Sequence, residues 1–164
     1  MYLIFDTETT GLPQNWKAPL TDFNNWPRCV QLAWQVHNNV GELLQVKNYI
    51  IKPEGFDIPY KSEKIHGIST ELATQQGKDI NSVLNFFRDD LNKVQFIIGH
   101  NVNFDRNILG AEFLRKGLDD PFPSLKIIDT CTEETANVCQ IKGGPRGRFK
   151  LPTLTELYLS LIHI

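Results

Sequence analysis

Met1-Tyr2-Leu3-Ile4-Phe5-Asp6-Thr7-Glu8-Thr9-Thr10-Gly11-Leu12-Pro13 opens the chain. Residues 2–5 form an apolar run that ends at Asp6, and Thr9, Thr10, Gly11 and Pro13 supply turn chemistry, so the stretch predicts a strand entering a loop. Asp6 and Glu8 stand two positions apart, and the period of a strand sends both side chains to the same face. Two carboxylates placed that way repel each other. A pair of solvated surface acids would accommodate them, but Asp6 terminates a strand read as central, where an unpaired charge is costly. A bound cation keeps both ionised with the least penalty.

Working outward, residues 14–27 hold three Asn, two Trp and two Pro with no periodicity, which predicts a long connection. Residues 30–37 and 43–51 are apolar and β-branched and flank Asn38-Asn39-Val40-Gly41, a hairpin pattern. Residues 62–66 predict a short helical turn. Ile80, Val83, Leu84, Phe87 and Leu91 recur at helical spacing before a strand at 95–98, and Phe104, Ile108, Leu109, Glu112 and Phe113 mark another helix before a strand at 125–128. A last helix is expected over 154–161. Five strands, about three main helices, and strand-helix alternation after a strand-rich start predict an α/β fold with a mixed sheet flanked by helices.

Composition narrows the function classes. With 164 residues, 41% apolar and 22% charged, the chain suits one core and one domain over 1–164, and argues against disorder and coiled coil. Its apolar runs fall short of the roughly 18–20 residues a membrane helix needs, so no membrane partner is expected. The N-terminus lacks the basic and small-residue pattern of a secretory signal, which points to the cytoplasm. Cys29, Cys131 and Cys139 are odd in number and scattered, so they read as reduced thiols. Formal net charge is −2, from 17 basic and 19 acidic residues, which is not the basic footprint of a protein held to nucleic acid by charge alone. The exception is 140–150, a flexible loop by composition, where Lys142, Arg146, Arg148 and Lys150 could contact phosphates or simply face solvent.

A second polar stretch, Gly99-His100-Asn101-Val102-Asn103-Phe104-Asp105, follows an apolar strand and opens a helix. It therefore lies at the C-terminal edge of the sheet, where α/β folds place ligands. Alone, Asp105 is explained by favourable placement in the first turn of a helix. Together with Phe-Asp-Thr-Glu-Thr-Thr-Gly-Leu at 5–12, however, the stretch closely resembles the first two exonuclease motifs of the DnaQ-like family. These are proofreading and RNA-trimming 3′→5′ exonucleases with an RNase H-like fold, and the resemblance runs from residue 2 to about residue 157.

The resemblance implies that Asp6, Glu8 and Asp105 are the catalytic and metal-holding carboxylates, gathering two Mg²⁺ or Mn²⁺ ions roughly 3.5–4 Å apart. Oxygen ligands suit those ions. It implies a pocket for the terminal nucleotide lined by Thr9, Thr10 and Leu12, with His66 of Ile65-His66-Gly67-Ile68, Asn101 and Phe104 nearby. His66 read alone is structural. Asp129 in Ile127-Ile128-Asp129-Thr130 would stand behind the site as a hydrogen-bond acceptor. His100 and Asn101 are read first as structural hydrogen-bonding groups.

The family's third motif, His-x4-Asp or Tyr-x3-Asp, has no counterpart. His163 has no acid after it, and Tyr158 is followed four positions later by Ile162. The expectation is a chain lacking its C-terminal motif-bearing helix, with weak or absent activity and exposed apolar surface that favours self-association. Residues 14–27 and Leu-Pro-Thr-Leu-Thr-Glu-Leu-Tyr at 151–158 look like exonucleases associated with bacterial DNA polymerase III. The implied substrate is then a single-stranded or frayed DNA 3′ end, and the implied partners are polymerase III subunits. An RNA-trimming exoribonuclease and a non-catalytic nucleic-acid or polymerase docking module remain as alternatives.

Overall fold

The computed structural model describes residues 1–162. Strand β1 (Tyr2–Thr9) lies at the centre of a five-stranded sheet of order β3-β2-β1-β4-β5, with β2 at Cys29–His37, β3 at Leu43–Ile50, β4 at Phe96–Gly99 and β5 at Lys126–Asp129. The β1-β2-β3 meander is antiparallel, while β4 and β5 run parallel to β1. Asp6 does not end β1. The longer β2 offers partners beyond Phe5, pairing Asp6 with Ala33, Thr7 with Leu32 and Glu8 with Gln31, and this carries the strand to Thr9.

Alternation divides the sheet into two unlike faces. Leu3 and Phe5 sit opposite Val36 and Trp34 on the covered face, packed against α3 (Ile80–Leu91) and α4 (Val102–Arg115). Phe87 of α3 anchors this core, its ring centroid 5.5 Å from Phe5 and 5.3 Å from Trp34. Truncating such a residue to Ala costs about 3–5 kcal/mol. Asp90, buried at the far end of α3, is answered by Lys47, Lys93 and the Trp34 indole. The open face carries Ile4, Asp6 and Glu8 beside Gln35, Ala33 and Gln31.

Six α-helices are present among the described residues, twice the number of main helices expected. Of the others, α1 (Tyr60–His66) contains the short helical turn expected over 62–66, while α2 (Thr70–Gln76) and α5 (Glu133–Cys139) were not expected; each has seven residues, too few to show a helical period. Caps mark two of them instead. Ser69 accepts from the Leu72 N–H at 3.0 Å, and Thr132 and Thr135 cap each other reciprocally. The same device starts α6 (Leu154–Ile162), where Glu156 accepts from the Thr153 N–H at 2.8 Å. Leu154, Tyr158, Leu161 and Ile162 of α6 are exposed. His163 lies outside the described residues.

Residues 14–27 form the expected long connection, without helix or strand, and it packs on α4. Leu20 rests on Gly110, where a Cβ would approach the Leu20 Cδ1 to 2.8 Å. At the end of the helix, Arg115 donates to the carbonyls of Phe23 and Trp26 at 2.8 and 2.5 Å. The basic segment is likewise tied down: Arg148 pairs with Glu133, Lys150 pairs with Glu156, and a 3₁₀ turn spans Pro145–Gly147.

Candidate active site

The three motif carboxylates flank the C-terminal half of β1, from its two faces. Asp6 and Glu8 project from the open face, Asp6 into a trough of about 550 Å³ bordered by Ala33, Val46, Ile98 and Leu154. Asp105, only 4% exposed in the first turn of α4, reaches the strand from the covered side. Thr7, between the two acids and pointing the other way, holds it: the Thr7 N–H and hydroxyl both donate to Asp105 Oδ1, at 3.0 and 2.5 Å. The intervening residue of Asp6-Thr7-Glu8 thus links the two motifs. Period-two alternation already turned Thr7 away from its neighbours, a signal for this role that sequence reading missed.

Electrostatics couples the three. Burial pushes the Asp105 carboxyl up from 3.8 to about 7, opposed by the Thr7 hydroxyl and reinforced by the negative charge of Asp6. Asp6 is raised by desolvation, with His100 opposing, and Glu8 is raised by desolvation and by Asp6, with His66 opposing. Among the described residues, none of the three forms an ion pair with Lys or Arg. They are hard oxygen donors short of positive charge, which fits a divalent cation in donor type and charge. Among the described residues no three His, Cys, Asp or Glu side chains form a ready-made ligand set. Asp105 is fixed by Thr7, so ligation requires Asp6 and Glu8, on the open face, to turn toward it.

A layer of hydrogen bonds positions this edge. Asn101 adopts the left-handed conformation, φ 60° and ψ 41°, to turn β4 into α4. Its N–H donates to Asp129 Oδ1 at 2.8 Å, and the Cys131 N–H donates to the same oxygen at 2.8 Å. Asp129 therefore clamps the β4 and β5 exits together. His100 bridges Thr130 Oγ1 and the Pro152 carbonyl, 3.0 Å from each. A carbonyl can only accept, so Nε2 of His100 carries a proton.

Around these groups lie the residues implied for the nucleotide pocket. The Thr9 hydroxyl donates to the Gly11 carbonyl at 2.8 Å, and Thr10 Oγ1 accepts from the Arg28 N–H at 2.9 Å. Both hydroxyls thus shape the loop. Leu12 is 72% exposed, unencumbered for contact with a ligand. His66 ends α1 before Gly67, whose φ of 77° reverses the chain. Its Nδ1 accepts from the Ile68 N–H at 3.1 Å, which leaves the proton on Nε2, and that buried nitrogen has no hydrogen-bond partner among the described residues. Phe104 is half-buried, its ring 5.7 Å from that of Trp16.

The family model described as Exonuclease (RNase_T) matches residues 3–157, a span that includes β1, the 99–105 turn, Asp129 and the start of α6. The chain belongs to the exonuclease family, and its motifs are those of the DnaQ-like 3′→5′ enzymes. Among solved structures, E. coli exonuclease I in complex with a dT13 oligonucleotide aligns with a TM-score of 0.73 at 18% identity, over 97% of this chain and 35% of that one. Exonuclease I with a 5cy-dA13 oligonucleotide gives 0.74 at 18%, over 98% and 35%. The ExoI/SSB-Ct complex gives 0.73 at 18%, over 97% and 35%. At such identity the likeness establishes the fold, an RNase H-like α/β sheet. The chain spans about a third of the length of the exonuclease I chains it matches. No curated protein matches it. Exonucleases of this family and fold generally use divalent metal ions.

Proposed function

We propose that this protein removes nucleoside 5′-monophosphates from single-stranded or frayed 3′ ends of DNA, with two Mg²⁺ or Mn²⁺ ions held by Asp6, Glu8 and Asp105. One observation carries the reading: three carboxylates, Asp6 repelling both Glu8 and Asp105, none paired with Lys or Arg among the described residues, at the C-terminal edge of the central strands, in a chain of the exonuclease family. Asp105 is the fixed point of the set, because Thr7 immobilises one of its oxygens and leaves the other to ligate. Asp6 and Glu8 are the adjustable members. Divalent ions bound there would supply the Lewis acidity that activates water and neutralises the scissile phosphate.

The remaining pocket residues bind and orient the substrate. Leu12 and Phe104 offer apolar surface to a terminal base, Thr9 and Thr10 hold the loop that carries Leu12, and Asn101 shapes the turn before Asp105. His66 presents its buried Nε2–H beside Glu8, a donor suited to an oxygen of the terminal nucleotide. A DNA substrate is favoured by the likeness to a fold solved with bound oligothymidylate. The finer reading, proofreading beside DNA polymerase III subunits, draws on the sequence resemblance of 14–27 and 151–158. A cytoplasmic location goes with it, and the three free cysteines suit that compartment.

The test is release of mononucleotides from a 3′-end-labelled single strand in Mn²⁺. Release that disappears in Asp6→Ala supports the proposal. Equal release from wild type and Asp6→Ala contradicts it.

A further inference from the structure

Trp16 is 51% exposed, whereas Trp26 and Trp34 are each 2% exposed. Leaving half an indole in water forgoes hydrophobic stabilisation, and a slack loop would fold it away. Here the segment is built to hold it out. Asn25 clamps the loop by accepting from the Asn15 N–H at 2.7 Å and donating to the Asn15 carbonyl at 3.0 Å. Asn15 Oδ1 in turn accepts from the Lys17 N–H at 2.9 Å, fixing the backbone on either side of Trp16. Farther along, the Trp26 indole donates to the Pro19 carbonyl at 3.0 Å, Leu20 seats on Gly110, and Arg115 binds two carbonyls.

The clamped loop sets the Trp16 ring against Phe104, in the first turn of α4. Its ring lies 5.7 Å from Phe104, tilted by 50°, and Phe104 immediately precedes Asp105. Leu12 marks the other entry to the same loop. Lys17, adjacent and exposed, forms no ion pair among the described residues. An aromatic plate with a neighbouring cation is what a single strand recognises irrespective of sequence: bases stack on the ring and a phosphate meets the ammonium.

We propose that Trp16 is a stacking surface for the nucleobase upstream of the terminal one, so that the strand is gripped at two successive bases. This rests on the exonuclease reading of the site. The first base lies between Leu12 and Phe104; the second meets Trp16, while Lys17 neutralises the phosphate between them. The pair would favour strands of two or more nucleotides over mononucleotides, and so help the released product to leave.

Trp16 is itself the probe, because the other two tryptophans are buried. An oligothymidylate with cleavage-resistant phosphorothioate linkages and a 5′ fluorophore is titrated into the full chain in Ca²⁺, with binding followed by anisotropy. A parallel titration with the unlabelled oligomer follows tryptophan emission. Binding should quench the emission, whereas thymidine monophosphate should not. Trp16→Phe should keep most of the affinity and lose the quenching, and Trp16→Ala should bind roughly tenfold more weakly. Near-UV circular dichroism of Trp26 and Trp34 confirms that both variants fold. Oligomer binding without quenching, or a Trp16→Ala affinity equal to wild type, overturns the stacking role and leaves the carboxylate site standing. Absence of binding by anisotropy overturns the site reading, and the Trp16 inference with it.

Discussion

Asp105 and Glu112 lie two turns apart on the same side of α4, both buried, and their surroundings are opposite. Glu112 Oε1 accepts from Arg28 Nε at 2.8 Å and from the Cys29 N–H at 3.0 Å, with Arg115 Nη1 3.1 Å away. Asp105 has a threonine, the nearby charge of Asp6 and no Lys or Arg partner among the described residues. One carboxylate has its charge answered within the chain through Oε1, although its Oε2 is buried without a hydrogen-bond partner among the described residues, and the other awaits charge from outside. A buried acid answered by arginines holds a fold together, whereas one beside another acid and kept in place by neutral donors marks a site. Placement and burial alike, the two differ only in what answers the charge.

Exchanging charge for an amide at each position should break the comparison in opposite directions. Asp105→Asn keeps the acceptor for Thr7 and should fold normally while losing mononucleotide release by about a thousandfold or more, in a gel assay with Mn²⁺. Glu112→Gln leaves two arginines without their counter-charge and should lower unfolding free energy by about 3–5 kcal/mol in urea titration. An Asp105→Asn protein that unfolds as readily as Glu112→Gln would remove the distinction.

A smaller effect separates charge from hydrogen bonding at Asp129. Asp129→Ala strands the N–H groups of Asn101 and Cys131 and should reduce activity by about 10–100-fold, while Asp129→Asn, which still offers an oxygen to both, should stay near wild type. Equal losses in the two would mean that the negative charge matters in itself.

The pH dependence sharpens the contrast last. In chelator, between 3.8 and about 7 the folded protein keeps a proton on Asp105 that the unfolded chain has released. Stability contributed by this group is therefore lost as pH rises through that window, and Asp6 and Glu8, also raised, act with the same sign. Thermal melts in chelator should show Tm falling across the window in wild type and falling less in Asp105→Asn. A divalent cation favours the ionised form and should flatten the decline.

Much of this arrangement was legible in the sequence. The period of two put Asp6 and Glu8 on one face, and the order of apolar runs predicted the five strands. Two polar stretches after apolar runs identified the edge where α4 begins. What escaped was set by reciprocal or distant partners. The short helices α2 and α5 are held by side-chain caps and lack an apolar stripe. Residues 14–27 show no period because their order comes from Asn15, Asn25 and the helix beneath. Thr7, given no role in the sequence, proved to be the bond between motifs: alternation turns it away from Asp6 and Glu8, but does not say that its partner stands 98 positions away. Glu112 likewise counted only as a helix position until Arg28 was seen across from it.

The most direct test of the central claim is the Tm of the metal-free chain at pH 8 before and after adding Mn²⁺, in wild type, Asp105→Asn and Glu112→Gln. A cation at about a hundred times its Kd stabilises the folded state by about 2.7 kcal/mol, which corresponds to roughly 5–10 °C for a chain of this size. Wild type and Glu112→Gln should both show that rise, from different starting points, and Asp105→Asn should show little or none. An equal rise in Asp105→Asn would place the ion elsewhere and contradict the account.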